Sequence, residues 1–170
     1  MKKIYAILLI LTMAFSFSAC LEDSPKKEEF SATETASKKE ETFGLNETAV
    51  FDNLKITATE MKVSHGESFF TPQSGNVFVG VKFIVENISK EEQAISSLLL
   101  FNGYVDDVKC EYSLSAAGAF SEGTIDGTIA PGKKLIGWYA LEVPENYQII
   151  ELQVLSNLFA NNPAKFVLKR

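Results

Sequence analysis

Residues 76–86, Asn-Val-Phe-Val-Gly-Val-Lys-Phe-Ile-Val-Glu, constrain the fold more than any other stretch of the chain. Val77, Val79, Val81, Phe83 and Val85 fall at every second position, so a strand turns five large apolar groups onto one face and leaves Lys82 and Glu86 on the other. That face must be buried. The segments after it also alternate at period two between turn residues, which predicts an antiparallel β domain with this strand central to its core. Val81 is expected inside with Val79 and Phe83. Lys82 is expected at a solvent edge, where reversing its charge costs little.

Residues 48–51 read as a short strand, Asp52-Asn53 as a turn, and 54–63 as the return strand. A β-bulge near Thr59 and Glu60 is predicted, because the apolar phase moves there from Leu54, Ile56 and Ala58 to Met61 and Val63. Residues 64–75 form a loop marked by His65-Gly66, Phe69-Phe70 and Pro72. After a polar turn at 87–92, residues 94–101 read as a strand region, with Leu98 to Phe101 continuous enough to be buried on both faces. The next turn falls at Asn102-Gly103 or at Asp106-Asp107; the second is preferred, because Tyr104 and Val105 extend the apolar run. Val108, Cys110, Tyr112 and Leu114 alternate into another strand, and 115–123 form a second long loop holding Phe120. Strands follow at 124–129, 135–143, 149–155 and 166–168, the first two joined through Ala130-Pro131-Gly132-Lys133, which suits a type II turn. The fold class expected is all-β: an immunoglobulin-like antiparallel β-sandwich of eight or nine strands over residues 47–170, with Trp138 between its sheets.

Ahead of this domain, Lys2-Lys3 and the almost wholly apolar residues 4–17 have the layout of a secretory signal, too short for a membrane span of about 20 residues. Phe17-Ser18-Ala19-Cys20 then resembles the processing box of bacterial lipoproteins, although Phe17 stands where leucine is usual. The resemblance implies a signal peptide over 1–19, lipid on Cys20, and a domain held at the extracytoplasmic face of the cell membrane through that lipid. Residues 20–46 mix charges with Ser, Thr and Pro and carry almost no periodic apolar positions, so they read as a disordered tether.

The formal net charge of −6 becomes more negative once Lys2 and Lys3 are removed with a signal, which argues against a nucleic-acid partner. His65 is the single histidine, which excludes a multi-histidine metal site and leaves any triad one candidate base. Asp106, Asp107 and Asp126 lack the spacing of a calcium loop, and Met61, the one methionine left once a signal over 1–19 is removed, cannot build a Met/His copper site. Cys110 has no intrachain partner if Cys20 is lipidated, and its alternation phase reads as a buried, hydrophobe-like thiol. No catalytic residue, metal or cofactor is expected. Phe69, Phe70 and Phe120, aromatics placed in loops, are the candidate partner-binding residues.

Residues 75–87, then Ala130-Pro131-Gly132, Gly137-Trp138 and Glu142-Val143-Pro144, resemble an uncharacterised immunoglobulin-like domain family common in lipoproteins of Gram-positive bacteria. The resemblance covers about residues 47–155 and departs at 105–109, which lacks that family's glycine-containing turn. It implies a fold related to a mycobacterial immunoprotective secreted antigen and no established catalytic residues. The functional expectation is a non-enzymatic binding or accessory module; the alternatives are an extracytoplasmic enzyme and a structural envelope spacer.

Overall fold

The computed structural model describes residues 41–67 and 69–170. The expected signal peptide, Cys20 and all but the last few residues of the tether lie outside the described residues. Those described contain the strands β1 (Thr42–Phe43), β2 (Thr48–Val50), β3 (Leu54–Ser64), β4 (Asn76–Asn87), β5 (Gln93–Ile95) and β6 (Phe101–Val105). The chain continues with β7 (Val108–Cys110), a single helical turn α1 (Leu114–Ala117), β8 (Gly127–Ile129), β9 (Lys134–Pro144), β10 (Ile149–Val154) and β11 (Ala164–Lys169).

Nine strands build two sheets, in the orders β2-β3-β4-β9 and β1-β11-β10-β6-β7, while β5 and β8 pair as a small ribbon. The expected β-sandwich is present. β4 is central, antiparallel to β3 on one side and β9 on the other. Val77, Val79, Val81, Phe83 and Val85 are all buried in the main core. The Phe83 ring meets Phe101 of β6 at 5.3 Å and Phe166 of β11 at 5.4 Å, so the opposing sheets close on the side chains that alternation turns inward.

Local chemistry sets the turns and the register. The β3/β4 pairing shifts between Ala58 and Glu60, at the expected bulge. Asp106 and Asp107 both take positive φ, 47° and 68°, the geometry of a type I′ hairpin turn between β6 and β7. The Asp106 carboxylate also accepts hydrogen bonds from the Gln148 and Ile149 backbone N–H groups. Gly132, at φ 71°, closes the type II turn into β9, where Lys133 N–H donates to Ala130 O at 3.0 Å.

Four expectations need correction. The folded domain begins earlier than residue 47, since Thr42 and Phe43 pair in parallel with Lys165 and Phe166, and the Phe43 ring packs on Phe166. Leu98 to Leu100 are not strand: the Ser97 N–H and hydroxyl both bind the Asp126 carboxylate, and Leu100 N–H turns back to Ser96 O. Leu98 and Leu99 are consequently exposed. Leu114 does not extend β7 but opens α1, whose N-cap Ser113 accepts from Ala116 N–H at 3.1 Å. Trp138 is buried, yet on the outer face of its sheet: it pairs across from Lys82, while its neighbour Tyr139 pairs with Val81 and enters the core between the sheets.

Candidate functional site

The outer face of β4 and β9 carries Phe78, Gly80, Trp138 and Ala140, and α1 with the loop after it folds over them. Phe120 is the lid of this second core. Its ring stacks on Trp138 at 5.0 Å and leaves only 8% of the residue exposed. A Cβ on Gly80 would lie 2.7 Å from the ring, so glycine is what lets the aromatic lie flat on the sheet. Phe120 is therefore a packing residue, which corrects its candidacy as a partner-binding aromatic. Beside it, Lys82 pairs with Glu122, and the Lys62 and Lys82 ammonium groups stand 5.3 and 5.7 Å from the Trp138 ring centroid. The hydrogen bond from Lys82 holds the Glu122 carboxyl below its ordinary pKa.

The other two loop aromatics differ from Phe120 and from each other. Phe69 is 96% exposed, whereas Phe70 is only partly so and lays its ring against Gly118. The Glu67 and Phe70 backbones exchange two hydrogen bonds of 2.9 Å, which present Phe69 at the tip of a tight turn. His65, in the same loop, is exposed.

Among the described residues, groups capable of chemistry do not converge. Among the described residues, no set of three or more His, Cys, Asp or Glu side chains is placed to hold a metal ion. Cys110 is half-buried in a small cavity of about 210 Å³ with Ser97, Tyr112 and Tyr139, and its thiol donates to Glu142 O at 3.4 Å. Burial, reinforced by Glu111 and Glu142, raises the thiol pKa, and burial also lifts both phenols. Such a site offers neutral donors and a poor nucleophile.

The two ends of the sandwich are unlike. Gly75 O accepts from Glu145 N–H, and Asp106 binds Gln148 and Ile149, so the loops 65–75, 106–107 and 145–148 share one end, which carries Phe69. At the other end, the Asn53 side-chain amide donates to Gln93 and to Ser156 O, joining turns from both sheets. Asn87, fully buried, pins that end further by donating to Glu91 O and Ile129 O and accepting from Ser89. Here two features escape sequence reasoning. One is an open cleft of about 680 Å³ between the β1/β11 edge and β2, lined by Phe43, Val50, Phe51 and Pro163 among others. The other is a pair of loops that expose Leu98, Leu99, Leu158 and Phe159. The only signal for Leu158 and Phe159 is their setting, an apolar tripeptide Leu158-Phe159-Ala160 between Asn157 and Asn161-Asn162.

A family model described as a domain of unknown function, DUF4352, matches residues 43–165. No curated protein matches the sequence. Among solved structures, the chain is similar to ycdA of Bacillus subtilis, described as a candidate lipoprotein, with a TM-score of 0.60 and 16% identity over 72% of this chain. That match spans only 38% of the ycdA chain. An uncharacterised β-sandwich protein of Clostridium difficile matches over 86% of this chain and 99% of its own, at 20% identity and a TM-score of 0.50. The secreted protein MPT63 of Mycobacterium tuberculosis matches over 79% of this chain and all of its own (100%), at 14% identity and a TM-score of 0.51. Likeness at such identities shows the fold.

Proposed function

The chain belongs to the DUF4352 family, whose function is unknown, and we propose that this protein is a lipid-anchored, extracytoplasmic binding or accessory module rather than an enzyme. The observation that carries the reading is Phe69, a large aromatic that is 96% exposed at a tight loop tip, on the end of the sandwich remote from the point where the chain enters it. A large aromatic presented by a hydrogen-bonded backbone turn is suited to anchoring a partner, since little backbone freedom is lost on docking. The deactivated thiol of Cys110 and the isolated, exposed His65 support binding over catalysis. The lipoprotein box at Cys20, and the descriptions of ycdA as a candidate lipoprotein and of MPT63 as secreted, support an extracytoplasmic setting.

Two measurements test the proposal. The mature N-terminus should begin at a Cys20 of acylated mass, and Cys20→Ala should release the chain from membranes or leave it unprocessed. A photoreactive amino acid at position 69 of the anchored protein should give a discrete adduct that excess unlabelled protein removes, and the same probe at the exposed Val50 should not. Adducts that are absent, or identical from both positions, refute the binding role.

A further inference from the structure

The strand register fixes which end of the domain receives the chain. Thr42 pairs with Lys165, Lys165 with Gln153, and Gln153 with Asn102, so these four residues form one transverse row across the five-stranded sheet. β1, β11 and β6 start at this end, and β10 finishes there. Just beyond the row lie the loops 96–100 and 155–163. Together they expose Leu98, Leu99, Leu158 and Phe159, the last at 91%. A groove of about 260 Å³ runs between the loops, and no charged side chain lines it. The hydrogen bonds from Asn53 to Gln93 and to Ser156 hold the walls of the groove together.

We propose that this end of the sandwich rests on the lipid bilayer, with Leu98, Leu99, Leu158 and Phe159 entering the boundary between headgroups and acyl chains. The inference deepens the proposed function and rests on its lipid anchor. From Cys20 to Glu41 the backbone reaches at most roughly 70 Å, so a lipid on Cys20 keeps a bilayer within that distance of Glu41, where the chain enters the end that carries these loops. Tethering makes the contact effectively intramolecular, and a few apolar side chains then suffice where they would not hold a free domain. Charge complementarity plays no part, given a net charge more negative than −6 once Lys2 and Lys3 are removed and a groove without cations, so the contact needs neither anionic lipid nor low salt. The same placement turns Phe69 away from the membrane, toward whatever partner it meets.

The test uses the mature chain, residues 20–170, with Cys110→Ser, coupled through Cys20 to a maleimide lipid in phosphatidylcholine vesicles. Coupling puts the chain on the bilayer however the cell treats Cys20, so failure of the natural anchor, read from the N-terminal mass, stays distinguishable from failure of the contact. Phe159→Trp and Phe69→Trp are compared using lipids with brominated acyl chains, Trp138 giving the same background in both. The expected result is quenching at position 159 at least about twofold stronger than at position 69, unchanged at high salt. Equal quenching at both positions overturns the proposal. So does shielding of position 159 that persists without vesicles through self-association, which would make a second copy the occupant.

Discussion

Removing the Phe120 ring tests the outer-face core directly. In Phe120→Ala the Trp138 ring loses a partner stacked at 5.0 Å, and the hollow above Gly80 is left unfilled. Full burial would make a Phe→Ala change worth about 3–5 kcal/mol; because this cluster lies at the surface, and water or α1 can partly collapse into the space, about 2–4 kcal/mol is expected. For a domain of this size that is a fall in Tm of roughly 8–15 °C. Trp138 is the single tryptophan, so its emission reports the uncovering and should move to longer wavelength. Phe69→Ala, a change of the same type in a loop, should stay within about 0.5 kcal/mol and leave the emission alone. Gly80→Ala adds a second arm to the experiment: it should cost about 1–3 kcal/mol in the native background, through collision with the ring, and close to nothing once Phe120 is alanine. Native melting and emission in Phe120→Ala, or additive costs in the double variant, would show that the ring does not cover the sheet as described.

Charge on the two faces of β4 gives a sharper contrast than the sequence implies. Val81→Asp should unfold the domain, by several kcal/mol, because position 81 is 1% exposed in the main core. Lys82→Asp, a nearly free change by sequence reasoning, should cost about 1–3 kcal/mol, since it removes a cation packed near Trp138 and sets a carboxylate beside Glu122; thermal melts of both variants check the order. Glu122 supplies the pH dependence. Its folded pKa is depressed by Lys82, so its contribution is present above the ordinary carboxylate range and is lost as pH falls through the folded value. Trp138 emission should report loosening of the outer face in that acid window, and Glu122→Gln should remove the transition.

Short-range chemistry made much of the sandwich legible. The alternation of Val77 to Val85 dictates a strand that buries this face, because period two puts all five apolar groups on the same side. The bulge at Ala58 to Glu60 follows from a phase change in the apolar pattern, and the turn at Asp106-Asp107 follows from residues that tolerate positive φ. Each of these choices is made among neighbouring residues, so a linear reading reaches it.

Placement across the chain was decided only in three dimensions. Trp138 and Tyr139 are adjacent on β9, and alternation says that they face opposite ways; which of them lies between the sheets depends on how β9 registers against β4, and Tyr139 pairs with Val81 while Trp138 pairs with Lys82. Phe69 and Phe120 are the same residue type in loops of similar composition, yet one stands in water and the other is buried. Gly80, on a distant strand, opens a place for the Phe120 ring, while the Glu67/Phe70 backbone turn presents Phe69 to water. Leu98 and Leu99 read as core until the Ser97 backbone is drawn to Asp126, and Leu158 and Phe159 join them at the same end because β10 finishes where β6 begins. Periodicity records which residues prefer burial, but burial itself is a relation between surfaces, and partners far apart in sequence meet only once the sheets have packed.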